Sequence, residues 1–263
     1  MKAIRQPAVA GMFYPADRQT LVAMLEDYLA AAGTGPAPKA MIVPHAGYVY
    51  SGPVAATGYA RLRQVASRIR RVVLIGPAHR VALRGLAVPA ADSFMTPLGE
   101  VPLDTDAIAE ISSLPQVHID DEAHRQEHSL EVQLPFLQAT LDDFKLVPIV
   151  AGDVSADAVC AVIERLWGGD ETLFIISSDL SHYHDYATAK QLDKATSQAI
   201  EALDFEAIDY DHACGRNPVS GILLYARRHG LAASMIDLRN SGDTAGPRDQ
   251  VVGYGTYVIN ADQ

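Results

Sequence analysis

The chain has 263 residues, 49% hydrophobic and 20% charged, with a mean hydropathy of +0.05. This excludes a disordered protein, because such chains carry too little apolar surface to offset the entropy of ordering. A net charge of −11 disfavours nucleic acid and anionic membrane as partners, since both present phosphates. Two cysteines, Cys160 and Cys214, exclude a disulfide framework and suit a reducing cytoplasm. The first residues lack the apolar core of a signal peptide, and no apolar run approaches the roughly 18–20 residues that span a bilayer. A soluble, cytoplasmic protein with one domain over 1–263 is expected.

In chain order, the pattern predicts a helix over 18–32, a linker-like Ala/Gly/Pro stretch, and a strand over 40–43. A helix over 53–66 and a strand over 71–75 follow. Residues 85–103 read as a β-excursion around a Pro-Leu-Gly turn. Helices over 104–112 and 130–141, a strand over 145–150, a helix over 156–167 and a strand over 172–177 come next. Helices over 187–202 and 219–229, with strands over 234–239 and 251–259, complete the chain. Apolar runs without alternation, separated by amphipathic helices, describe a sheet covered on both faces. The expected fold is three-layer α/β/α around a central mixed, largely parallel sheet, with some antiparallel decoration.

The polar residues fall where those strands end. One strand runs into Pro44-His45-Ala46-Gly47-Tyr48 and another into Gly76-Pro77-Ala78-His79. A third runs into Ser177-Ser178-Asp179-Leu180-Ser181-His182, and a fourth into Asn240-Ser241-Gly242-Asp243. Loops beyond the carboxyl ends of strands converge over one crevice in open α/β sheets, so these residues predict one site. Two imidazoles and a carboxylate with open positions form a ligand set of non-haem Fe(II) enzymes. His45, His79 and Asp243 are the expected metal ligands. His182 is the expected acid/base, because its proton exchanges near neutrality, and Asp179 is expected to orient it. Each histidine taken alone is as well explained as a hydrogen-bonded structural residue. Asp243 has its own bland reading, as a turn residue bonding its own backbone.

A second cluster runs from His124 to Gln133. It resembles the zincin motif in composition only, because Glu127 does not adjoin the first histidine. If Ser129 caps the next helix, Glu131 lies near its N-terminus, and Pro135 bends that helix in its second turn. The cluster reads either as a wall of the cleft or as capping chemistry. Tyr48, His128 and Glu131 are its expected substrate contacts. The Gly-rich dinucleotide motif, the phosphate-binding Gly-Lys-Ser/Thr loop and the Gly-x-Ser-x-Gly elbow are all missing. Cys214 precedes a helix that would lower its pKa, although a small buried hydrophobe is the commoner reading of a free cysteine. His118, His184, His212 and His229 read as surface or structural.

Taken together, Arg5 to Pro15, Pro44-His-Ala-Gly-Tyr48, Gly76-Pro-Ala-His79, Glu127 to Phe136, Ser177 to His182 and Asn240 to Asp243 resemble the Memo family, over nearly the whole chain. Its prokaryotic members are the B components of the AmmeMemoRadiSam system. The resemblance implies a fold similar to the extradiol, LigB-type non-haem iron dioxygenases. There His45 and His79 match ligand histidines and His182 matches the acid/base. It also implies AMMECR-domain and radical-SAM proteins as partners. Eukaryotic members carry cysteine where this chain has Asp243; a carboxylate there favours Fe(II) or Mn(II) over Cu(I).

The expectation is a metal-dependent oxidoreductase of dioxygenase type acting on a small organic substrate. Fe(II) is the expected ion, Cu, Mn or Zn are alternatives, and a site without metal is the remaining option. A binding protein using the same cleft for a peptide or partner is the rival from another class. A hydrolase using metal-bound water is the third reading.

Overall fold

The computed structural model describes residues 2–261. The strands are β1 (Ile4–Arg5), β2 (Ala40–Val43), β3 (Arg71–Pro77), β4 (Leu86–Val88), β5 (Ser93–Thr96), β6 (Gly99–Pro102), β7 (Val117–Ile119), β8 (Lys145–Ala151), β9 (Thr172–Ser177), β10 (His182–His184), β11 (Leu231–Asn240) and β12 (Val251–Ala261). The α-helices are α1 (Arg18–Ala31), α2 (Tyr48–Tyr59), α3 (Thr105–Ile111), α4 (Asp121–Arg125), α5 (Leu134–Thr140), α6 (Ala156–Leu166), α7 (Tyr186–Glu201) and α8 (Arg216–His229).

Nine strands form the main sheet in the order β10-β12-β2-β9-β3-β8-β4-β7, with β11 paired to β12. The central four, β2, β9, β3 and β8, are parallel. Antiparallel partners flank them, β12 on β2 and β4 on β8. The unbroken apolar runs have their physical cause here. Ala40 to Val43 on β2 and Leu173 to Ile176 on β9 are fully buried, because helices cover the sheet and neither face meets water. Each of the larger side chains there, Met, Val, Leu, Ile and Phe, contributes roughly 1.5–3 kcal/mol by leaving water. Helices α1, α2 and α5 pack together, α6 packs on α8, and α7 lies against β11 and β12. The sheet is mixed and largely parallel at its centre, as the sequence predicts.

The predicted excursion divides: β4 joins the main sheet, while β5 and β6 form with β1 a separate three-stranded sheet closed by a hairpin in which Thr96 pairs with Gly99. Gly99 has a φ of +127°, a conformation that a side chain disfavours. Several boundaries differ from expectation. α2 begins at Tyr48 and takes Pro53 inside its second turn. The helix expected over 130–141 opens as a 3-10 turn, Glu131–Gln133, and becomes α-helical only at Leu134. Pro135 therefore lies in the first turn of α5 and not its second, a position where a proline is well accommodated. Among the described residues, no helix is long and apolar enough to cross a membrane.

Candidate metal centre

β2, β9 and β3 are neighbours in the sheet, so the chain leaving each of them arrives at the same edge. His45 follows β2, Ser177 to Asp179 end β9, and His79 follows β3. They open onto a cleft of about 690 Å³. His182, His128, Phe13, Tyr50 and Cys214 also line it, and no lysine or arginine does. One ligand atom each from His45, His79 and His128 lie within 4.8 Å of one another. The rings of His79 and His128 stack at 4.5 Å between centroids, and that of His45 stands edge-on to both.

Hydrogen bonds behind the rings set which nitrogen faces the cleft. Ser177 Oγ donates its one proton to Ser129 O at 2.6 Å and accepts from Gln133 Nε2 at 2.8 Å. It therefore acts as acceptor for His45 Nδ1, 2.9 Å away, which makes Nδ1 the protonated nitrogen and leaves a lone pair on Nε2. Glu127 does the same for His79. Its Oε1 lies 2.9 Å from His79 Nδ1, and its Oε2 accepts the His79 backbone N–H at 2.6 Å. The same carboxylate accepts the N–H groups of His128 and Ser129. Burial alone would raise Glu127. The hydrogen bond and charge of His79, with these N–H groups, outweigh it and hold Glu127 at about 2. Carboxylates behind ligand histidines orient the ring and raise its basicity.

Burial, reinforced by neighbouring imidazoles, holds His45 well below the usual histidine range and His128 at about 4. Both rings are thus neutral at pH 7, the form in which imidazole binds metal. His128 Nδ1 is buried and makes no hydrogen bond, but it lies 3.4 Å from Glu127 Oε1, so the same carboxylate stands behind this ring too. Three imidazoles with ligand atoms within 4.8 Å of one another, at an open cleft, are a donor set that fits a divalent first-row cation.

Several expected roles move. Asp243, expected as the third ligand, lies outside the histidine group. The 3-10 turn Ser241–Asp243 is closed by a reciprocal cap, with Asp243 Oδ2 accepting the Asn240 N–H and Oδ1 accepting the Tyr186 hydroxyl at 2.6 Å. The turn reading holds for its carboxylate, and the third member of the histidine group is His128. Glu131 is buried away from the cleft. It accepts from Arg5 Nη1, the N–H groups of Ala8 and Val9, and the Tyr14 hydroxyl, pinning the N-terminal segment that presents Phe13. Ser129 does not cap a helix, since its hydroxyl donates to Pro77 O. Tyr48 is also buried, donating to Val132 O at 2.6 Å, and Tyr50 faces the cleft in its place.

Asp179 lines the cleft, but its Oδ1 accepts the His45 N–H at 2.7 Å, so it positions the His45 backbone rather than the ring of His182. Burial pushes Asp179 up to about 7 against that hydrogen bond. His182 sits on β10, where it pairs with Val252 of β12. The next residue, Tyr183, has a φ of +61°, an uncommon conformation for a bulky residue and one that concentrates at functional sites. Burial lowers the pKa of His182.

Sequence reasoning places Ser177 at this edge and the Glu127–Gln133 segment on its wall as one option, but gives Glu127, Ser177 and Gln133 no role behind the histidines and Cys214 no place in the site. The position immediately before His128 is the available signal for Glu127. The others have none, because each acts across elements distant in the chain. Gly215 lets α8 start against the end of β9, since a Cβ there would lie 2.7 Å from Ser177 O and Ser178 Cβ. Cys214 Sγ is thereby brought to 3.3 Å from His45 Nε2. It also accepts the Asp179 N–H at 3.3 Å. Burial, then the Asp179 charge, push its thiol pKa up, in keeping with the commoner reading of a small buried cysteine and against that of a thiol activated by the helix.

A family model described as Memo-like protein matches residues 5–258. A MEMO1 family protein of Archaeoglobus fulgidus is 38% identical, over 97% of this chain and 99% of its own length. One from Aquifex aeolicus is also 38% identical, over 95% and 97%. Among solved structures, an uncharacterized protein, JW3007, from Escherichia coli K12 matches with a TM-score of 0.47 at 14% identity, covering 84% of this chain and 99% of that one. With a match over nearly its full length and relatives of this similarity, the chain belongs to the Memo family.

Proposed function

We propose that this protein is a metal-dependent oxidoreductase acting on a small organic molecule, with a divalent first-row ion held by His45, His79 and His128. The observation that carries this reading is the three-histidine group at the floor of an open cleft, with the outward nitrogens of His45 and His79 set by Ser177 and Glu127. Three imidazoles suit Fe(II), Cu(II) or Zn(II). Fe(II) is preferred here on the likeness of the motifs to those of the non-haem dioxygenases. When bound, such an ion supplies a Lewis-acid or one-electron centre beside the substrate.

The chain's own groups do the rest. Glu127 and Ser177 keep His79 and His45 in the ligating tautomers. His182, partly buried on the cleft wall, holds or releases the substrate proton. The aromatic edge formed by Phe13, Tyr50 and Tyr183 orients an organic ring or chain.

The test is metal analysis of protein prepared without a histidine tag, followed by anaerobic Fe(II), Cu(I) and Zn(II) titrations. About one ion per chain is expected. His45→Ala, His79→Ala and His128→Ala should each lose it, while Asp243→Asn keeps it. Parent-like metal binding in the three histidine variants, each still folding cooperatively, would refute the assignment. Tight metal binding with no redox reactivity in any titration would favour the binding-protein reading.

A further inference from the structure

Two clefts meet at one side chain. Cys214 lines the histidine cleft, and it also lines a second cleft of about 630 Å³ on its other side. The second cleft is built from the ends of β3 and β8 and the start of α8. Its buried lining is mostly apolar, from Pro77, Ala151 and Pro218, and its one buried polar side chain, Asn217, donates its amide N–H groups to Gly152 O and the Tyr210 hydroxyl. Its charges, Arg84 and Asp153, are exposed, and Tyr210, 57% exposed, carries Arg216 stacked on its ring at 4.0 Å. At the inner end the lining includes Cys214, whose thiol lies against Nε2 of His45, the nitrogen whose lone pair faces the metal position.

We propose that the second cleft is a separate route by which a small uncharged molecule reaches the histidine cluster past Cys214. The inference rests on the proposed metal site for its purpose but not for its geometry. A substrate filling the first cleft covers the open face of the three histidines, and a second reactant then needs another approach. Apolar walls of small residues admit neutral molecules and reject hydrated ions, which would lose their water without compensation. Cys214 is the partition: compact, and placed so that whatever passes it meets His45.

The probe is methyl methanethiosulfonate, small and neutral, which transfers a methylthio group to a thiolate and releases methanesulfinate. Its reaction at Cys214 is followed by peptide mass spectrometry in the full-length folded protein. Ala82, exposed on the second cleft, is replaced in Ala82→Trp to narrow that route, and Gln250, exposed on the first, in Gln250→Trp to narrow the other. Labelling is expected to slow at least tenfold in Ala82→Trp and less than twofold in Gln250→Trp, with both variants melting like the parent. The methylthiolated protein is expected to lose at least tenfold in metal affinity, because the added group crowds His45 Nε2. Slowing by Gln250→Trp alone, equal slowing by both variants, or unaltered metal affinity after labelling would overturn the route. If the unlabelled protein binds no metal, the proposed function fails, while the labelling rates still report whether the second cleft leads to Cys214.

Discussion

Replacing Glu127 by glutamine tests the most heavily used hydrogen-bond acceptor of the site while keeping its volume. The carboxylate side chain is 1% exposed and accepts four hydrogen bonds, from the His79 ring, the His79 N–H, and the N–H groups of His128 and Ser129. A glutamine amide offers one oxygen for these donors, and its NH₂ group must face an N–H. The orphaned donor alone costs about 1–3 kcal/mol. The charge has a cost of its own. Glu127 falls from an ordinary 4.5 to about 2, and at about 1.4 kcal/mol per unit this corresponds to roughly 3 kcal/mol of interaction with the ionised form.

Because the folded-state pKa is depressed, that stabilisation is present above about pH 4.5 and is lost as the pH falls towards 2. Urea unfolding at pH 7 should therefore show Glu127→Gln less stable by about 3 kcal/mol, with the gap from the parent narrowing as the pH is lowered below about 4.5. Metal affinity should fall about 10–100-fold, the usual effect of losing the group that orients a ligand histidine. A variant with parent stability at pH 7 and parent metal affinity would refute the role given to this carboxylate.

Three further outcomes are expected. Glu131→Gln leaves the buried Arg5 guanidinium without its counter-charge and should cost about 3–5 kcal/mol in denaturant unfolding, with amide exchange accelerating over residues 4–14; unaltered exchange there would contradict the pinning of the N-terminal segment. Burial raises Asp193, beneath β10, to about 6, so its ionisation costs stability as the pH rises from about 4 to 6; Asp193→Asn should remove that dependence and be more stable than the parent at pH 7 by about 1–3 kcal/mol, whereas identical pH–stability curves would sink this account. His182→Ala should keep the metal stoichiometry and lose redox reactivity of the loaded protein, while loss of metal equal to that in His45→Ala would make His182 a ligand.

Much of this protein is legible along the chain because the relevant physics is local. Buried strands such as Ala40 to Val43 and Thr172 to Ser177 announce a covered sheet by lacking alternation. A residue just beyond a parallel strand must arrive at the carboxyl edge, so His45, His79 and Asp179 share one cleft in sequence and in structure alike. What lies further from a strand end depends on packing. His128 joins the cluster because the Glu127 carboxylate gathers the His79, His128 and Ser129 N–H groups at one point, a coupling across about 48 residues that no periodicity records. Tyr48 and Glu131 turn inward because buried partners, the Val132 carbonyl and the Arg5 guanidinium, outbid the cleft for their polar atoms. Asp243 has the chemistry of a ligand, but the nearest donors, the Asn240 N–H and the Tyr186 hydroxyl, close a turn around it first. The amino acids by themselves determined the sheet and the edge at which chemistry gathers; which carboxylates and imidazoles face one another there was decided by tertiary structure, because a polar atom goes to whichever partner the packed chain brings within about 3 Å.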